Sequence, residues 1–279
     1  MSLSAEQIQS NWEKFIGYIN TYISDPRREK VLAFYKKFED DLVLMPASHK
    51  TAYHNAFPGG YIDHVNRVIE GALAINEVWK KFGTEQNYTT EELVFSAINH
   101  DLGKMGNGEE MAYLPSKDDW RKKNLGEMYQ YNKKLAYMSV PDRSIKLLVD
   151  HDIKLTENEW MCIKLHDGLY DQANEPYLKS YMPEQKPRTS LVFIIHQADL
   201  MAARIEFEHV WLSKFNEEVL DKPKSKKLDV KTKALGSMKS EGFLFDPIPL
   251  YSEQWIPHRH GRKQSDRQCC HQSLETVQY

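Results

Sequence analysis

Apolar residues recur at helical spacing along nearly the whole chain without convincing strand alternation, a pattern that restricts the fold to packed helices. Trp12, Phe15, Ile16, Tyr18 and Ile19 mark a first amphipathic segment, broken at Ser24-Asp25-Pro26. Asp25 as N-cap and Pro26 at the first helical position open a second segment through Val31, Leu32, Phe34, Tyr35 and Phe38, which Pro46 ends. Residues 63–82 read as a long helix carrying His64, Val65, Val68, Ala72, Ile75, Val78 and Trp79. Thr89 or Thr90 caps the next, with Glu91 and Glu92 in its first turn, and Gly103 stops it just after His100-Asp101. Pro141-Asp142 starts a helix with Ile145, Leu147, Leu148 and His151, and Thr156-Glu157-Asn158-Glu159 is a capping box for one ending at His166. Residues 189–211 form a strongly apolar helix containing His196 and Asp199. With no hairpin signal and no internal repeat, the expected fold class is all-α.

A chain of 279 residues can bury a full core in one large domain, and 41% hydrophobic with 28% charged residues is the composition of an ordinary globular protein. A formal charge of -3 gives no global pull toward nucleic acid or anionic membrane, so nucleotide recognition would have to come from a local site. Cys162 stands alone and Cys269-Cys270 are adjacent, which offers no disulfide framework and no Cys-x-x-Cys zinc unit. The first residues lack a basic region followed by an apolar run, and no apolar stretch approaches the roughly 20 residues that span a bilayer. A cytoplasmic protein without membrane contact is expected, and an oligomer is compatible with the sequence.

Three parts of the chain follow from the patterning. Residues 1–49 are an N-terminal helical extension that packs on the core, and 50–215 form the main helical domain. Residues 216–279 are a Lys-rich segment (Lys222, Lys224, Lys226, Lys227, Lys231, Lys233, Lys239) and an aperiodic tail expected to be disordered. Residues 105–140, with Gly106, Gly108, Pro115, Tyr113, Trp120, Tyr129, Tyr131 and Tyr137, read as an irregular excursion over the site, its aromatics serving packing in preference to base stacking.

The chemistry-bearing residues sit at helix ends. His100-Asp101 closes one helix, His151 and His166 stand near the ends of two others, and His64 follows the turn Pro58-Gly59-Gly60. His196 and Asp199 share a face of an apolar helix, where an unpaired carboxylate is costly to bury. One divalent ion is an economical partner for several such groups.

The order His64, His100-Asp101, Asp199 resembles the H…HD…D signature of the HD superfamily of metal-dependent phosphohydrolases. The run from His54 through Pro58-Gly59-Gly60 to His64 is similar to that superfamily's H-x-x-x-x-GG-x-x-x-H element. His100-Asp101-Leu102-Gly103-Lys104 matches HD-x-GK, and His196-Gln197-Ala198-Asp199 matches H-x-AD. The likeness covers roughly residues 50–210 and is strongest to the branch containing bacterial 3′→5′ exoribonucleases. It departs where branch members show His-His-Gly and this chain has His166-Asp167-Gly168, and in a long gap between Asp101 and His151 that lacks the usual Gly-His pair.

The resemblance implies an HD-type helical bundle that uses a metal-activated water to hydrolyse a nucleotide, a short oligonucleotide or another phosphodiester. It implies that His64, His100, Asp101 and Asp199 hold one ion, with Asp101 bridging to a second held by His151 and His166. Mixed His and Asp ligands suit Mn, Fe, Co, Ni or Zn, with Mg as a further candidate. Asp101, Lys104 and His54 are the expected catalytic groups, Lys104 neutralising phosphate charge and His54 donating to a phosphate oxygen or the leaving group. His196 is expected to support the ligands or touch substrate. An alternative for the same ligand order is a di-iron oxygenase acting on a small polyol or a phosphonate.

Overall fold

The computed structural model describes residues 3–220, and within them the chain is mostly helical, with one two-stranded ribbon. Helix α1 (Ala5–Tyr22) starts at a capping box in which Ser4 and Gln7 satisfy each other's backbone N–H groups, and it buries Trp12, Phe15 and Ile19. Helix α2 (Arg27–Lys37) starts one residue later than the Asp25–Pro26 pattern predicts. Pro26 occupies the cap, and the Asp25 side chain pairs with Arg28 instead. The short α3 (Glu39–Val43) follows.

Helix α4 (Gly60–Lys81) begins three residues before the predicted position 63, which sets His64 in its second turn. Two glycines make this start possible. Gly59 has a φ of 81°, and a Cβ on Gly60 would lie 2.2 Å from the Asn55 carbonyl oxygen. The expected Thr89 cap holds, with Glu92 closing the box at the head of α5 (Thr90–Asn99). His100 and Asp101 then lead into a 3-10 turn (Leu102–Met105).

Residues 105–140 hold the ribbon that the sequence does not announce: β1 (Tyr113–Pro115) pairs antiparallel with β2 (Tyr129–Tyr131), with α6 (Asp119–Leu125) between them. Three-residue strands are too short for alternation to be recognised, and the intervening helix hides the pairing. Helix α7 (Val140–Asp150) is capped by Ser139, and α8 (Glu157–Leu165) by the predicted Thr156–Glu159 box. After α9 (Glu175–Leu178), helix α10 runs Leu191–Leu220, well beyond the predicted end at 211. The expected boundary at 216 therefore falls inside a helix. The expected Lys-rich stretch and disordered tail at 221–279 lie outside the described residues.

One apolar cluster runs from Trp12 to Ala202 and draws on α1, α2, α4, α5, α7, α8 and α10, so the N-terminal helices share one core with the rest of the bundle. Helix α10 packs along α4 and α8, and α4 lies against α5 and α1. Across this core Arg27 clamps the fully buried Glu159 through two N–H···O bonds of 2.8 and 2.7 Å while its guanidinium lies over the Phe95 ring. Among the described residues no helix is long and apolar enough to cross a membrane.

Candidate metal centre

Four helices deliver side chains to one end of the bundle. His64 comes from α4, His100 and Asp101 from the end of α5, His166 from the end of α8 and Asp199 from α10. Ser144 of α7 locks the α5 exit by accepting from the Gly103 N–H at 2.7 Å and donating to the His100 carbonyl at 3.2 Å. Gly103 itself is required there, because a Cβ would sit 2.2 Å from the Val140 carbonyl oxygen.

The imidazoles are oriented from behind. His100 Nδ1 donates to the Ala97 carbonyl at 2.8 Å and His166 Nδ1 to the Ile163 carbonyl at 2.9 Å. A carbonyl only accepts, so Nδ1 carries the proton in both rings and Nε2 faces inward. His64 Nδ1 is held by the Glu206 carboxylate at 3.1 Å, and Arg67 Nε fixes Glu206 in turn at 3.0 Å. This is the backing expected of metal-binding histidines.

The inward atoms of His64 and His100 crowd the carboxylates at ion-pair distances without an aligned hydrogen bond. His64 Nε2 is 3.2 Å from Asp199 Oδ1 and 3.6 Å from Asp101 Oδ2, while His100 Nε2 is 3.4 Å from Asp101 Oδ2 and 3.8 Å from Asp199 Oδ1. Both Nε2 atoms are nevertheless buried without a hydrogen-bond partner. Ligands about 2.1 Å from a shared ion stand about 3.0–3.4 Å apart, so atoms that crowd at these distances without aligning fit an ion-shaped gap. The buried His and Asp groups can hold a metal ion.

A second grouping adjoins the first. His166 Nε2 lies 3.6 Å from Asp101 Oδ1 and 3.6 Å from Asp167 Oδ1, and His166, Asp167 and Asp199 can converge on one point. The two Asp101 oxygens thus face different histidines. His151, expected as a ligand, is placed elsewhere. It ends α7 with Nδ1 on the Leu147 carbonyl at 2.9 Å, its ring packed edge-on against Phe34 and Phe38 and its Nε2 near Lys37. Its helix-end position serves capping and packing, and Asp167 is the residue that stands with His166 and Asp199.

Charge is balanced internally. Burial by itself would lower the His64 pKa, but Glu206 and Asp199 outweigh it and raise it to about 10; for His166, Asp167 and Asp101 do the same, again to about 10. Burial opposes the ionised forms of Asp101 and Asp199, yet Lys104 and His100 hold Asp101 well below the carboxylate range, and His64 and His100 hold Asp199 there. Lys104 contacts Asp101 Oδ2 directly. The His54 ring lies 4.5 Å from that of His64, tilted by 34°, and burial with the neighbouring His64 and Lys104 pushes its pKa down to about 2. It is therefore a neutral ring, its Nε2 buried without a partner.

The centre is closed on the His64–His100 side and open on the other. Asp199 is 18% exposed and Asp167 is 43% exposed, whereas the His64 and His100 side chains are inaccessible. Over the open side lies a cavity of about 560 Å³ lined by His54, Asp101, Lys104, Asp167, His196 and Asp199. His196 does not point at the ligands. Its Nδ1 donates to the His166 carbonyl at 2.7 Å, and it lies over Gly168, whose φ of 57° and missing Cβ make room for the ring. It thus touches the His166 backbone and also lines the cavity.

The sequence reading missed Asp167 and Glu206. Glu206 follows Asp199 by two helical turns on α10, a same-face spacing that signals a carboxylate near the same histidine. Glu206→Gln is expected to weaken metal affinity about 10–100-fold with little loss of helicity, as read by competition with a chromogenic chelator. Unchanged affinity would show that Glu206 plays no part in holding His64 for the ion.

Comparison with protein-family models, curated proteins and solved structures gives no match.

Proposed function

We propose that the protein is a divalent-metal-dependent phosphohydrolase of the HD type, acting on a nucleotide or phosphodiester. The observation that carries this reading is the pair of orphaned Nε2 atoms on His64 and His100, crowded against Asp101 and Asp199 in the H…HD…D order. His64, His100, Asp101 and Asp199 would hold one ion, and Asp101, His166, Asp167 and Asp199 a second. Such an ion lowers the pKa of its water to about 7 and so supplies hydroxide at neutral pH.

The remaining chemistry belongs to the chain. Lys104, buried on Asp101 at the cavity floor, places a positive charge where phosphate oxygens would lie. His54 stays neutral across the physiological range, and its unpartnered Nε2 can hydrogen-bond to a phosphate oxygen or the leaving group without bringing a charge of its own. The open Asp167–Asp199 side admits substrate, and the closed His64–His100 side keeps bulk water from the ligands.

Purified protein is expected to contain one to two equivalents of transition metal and to release phosphate from phosphoesters only when loaded, with Mn²⁺, Co²⁺ or Ni²⁺ restoring a chelator-treated sample. His64→Ala and His100→Ala are each expected to lose turnover by 100-fold or more, on the order of what metal-assisted activation contributes. Full turnover in a metal-free sample would sink the reading. One observation favours a second reading: the Asp101 oxygens face separate histidine groups, an arrangement that a di-iron oxygenase also needs. Oxygen uptake by anaerobically iron-loaded protein, without phosphate release under Mn²⁺, would support that alternative.

A further inference from the structure

Beside the cavity over the metal-type residues lies a second hollow of about 760 Å³; the two share Lys104, Val140, Asp167 and Tyr170. Tyr113, Tyr131, Tyr137, Lys133 and Arg143 line the second hollow, which the phosphate chemistry alone does not use. Its size is that of a small-molecule site, about 300–1,000 Å³.

The tyrosines are arranged by the ribbon. Tyr113 and Tyr131 are register partners across β1 and β2, so both rings stand on one face, 5.3 Å apart. His49 backs them, 5.0 Å from Tyr131 and 6.2 Å from Tyr113, and Tyr53 lies against His49. Tyr113 is buried, as a packing residue should be. Tyr131 is 62% exposed although two rings already hold it in place, and Tyr137 and Tyr170, also at this hollow, are 96% and 71% exposed. A fixed aromatic face left open beside cationic side chains is the arrangement that seats a nucleobase while the cations meet phosphate.

We propose that this hollow is a nucleobase subsite, with Tyr131 as its stacking platform, so that a nucleotide lies with its phosphate at the metal centre and its base against the β1–β2 ribbon. The proposal takes its phosphate-directed substrate from the function proposed above. It adds that the chain recognises the base by its face. Stacking tolerates any base, so weak discrimination between purines and pyrimidines is part of the expectation.

The test is calorimetric titration of the full chain in EDTA, where turnover does not interfere, with AMP, UMP and ribose 5-phosphate as probes. Wild-type protein should bind both nucleotides more tightly than the sugar phosphate. Tyr131→Leu should lose about tenfold for AMP, about 1.4 kcal/mol, with no change for ribose 5-phosphate, and Tyr131→Phe should behave as wild type. Equal binding of AMP and ribose 5-phosphate by wild type would overturn the subsite, as would an unchanged Leu variant or one that loses both probes alike. Mn²⁺-dependent phosphate release by the same preparation separates the two proposals. Turnover with base-blind binding removes the subsite alone, whereas base-selective binding without turnover on any phosphoester removes the hydrolase and leaves the subsite.

Discussion

Asp101→Ala is expected to yield protein that retains its helices but purifies without stoichiometric metal and has no measurable turnover. Asp101 is 4% exposed and stands at the meeting point of the centre. One oxygen lies within 3.6 Å of both His64 and His100 Nε2, and the other lies 3.6 Å from His166 Nε2. Its loss would take an oxygen from each of the two proposed ion positions at once. The substitution also strips the partly buried Lys104 of its partner, and an unpaired charge there costs at most about 3–5 kcal/mol, the value for full burial. Thermal unfolding should therefore drop as well, and the double variant Asp101→Ala/Lys104→Met should recover most of that loss without regaining metal. Elemental analysis and unfolding curves read the two effects separately. Metal retained at wild-type stoichiometry by the single variant would refute the assignment.

Arg27→Ala should be the most damaging change away from the site. Glu159 is fully buried, and Arg27 gives it two short hydrogen bonds. Without the guanidinium the carboxylate has no counter-charge, and the expected loss is about 3–5 kcal/mol. Burial already raises the Glu159 pKa above 4.5, with Arg27 only partly opposing it. A raised carboxyl pKa means the folded chain binds the proton more tightly than the unfolded one. The contribution of this group therefore worsens as pH rises through that window, and the variant raises the pKa further. The stability gap between wild type and Arg27→Ala should accordingly be largest at neutral pH and narrow toward pH 5. A gap below 1 kcal/mol in denaturant titrations at pH 7, or one independent of pH, would show that the clamp contributes little.

The helices and the inner ligands were legible because each is announced locally. Thr89 and Thr156 stand as caps, His64 follows the Gly59-Gly60 turn, His100-Asp101 closes a helix, and Asp199 is a carboxylate inside an otherwise apolar helix. What sequence could not separate was the purpose of a histidine at a helix terminus. His100, His151 and His166 all donate Nδ1 to a carbonyl of the preceding turn, yet His151 turns its ring toward Phe34 and Phe38 and the other two face the carboxylates. That choice depends on which way the whole helix packs, a tertiary fact. Asp167 and Glu206 went unnoticed for the same reason, and the Tyr113–Tyr131 pairing was hidden by the α6 excursion. The early start of α4 was readable only in part, since Gly59-Gly60 signalled a tight turn but not that the helix begins within it.

Among the described residues the His64 and His100 side chains are inaccessible while Asp167 and Asp199 are not, so the open approach to the proposed ligands runs past those two carboxylates. On the proposed function, an ion that entered by this path ahead of the nucleotide would lie beneath it. A seated nucleotide would then act as a plug, slowing escape of the ion beneath it until product departs.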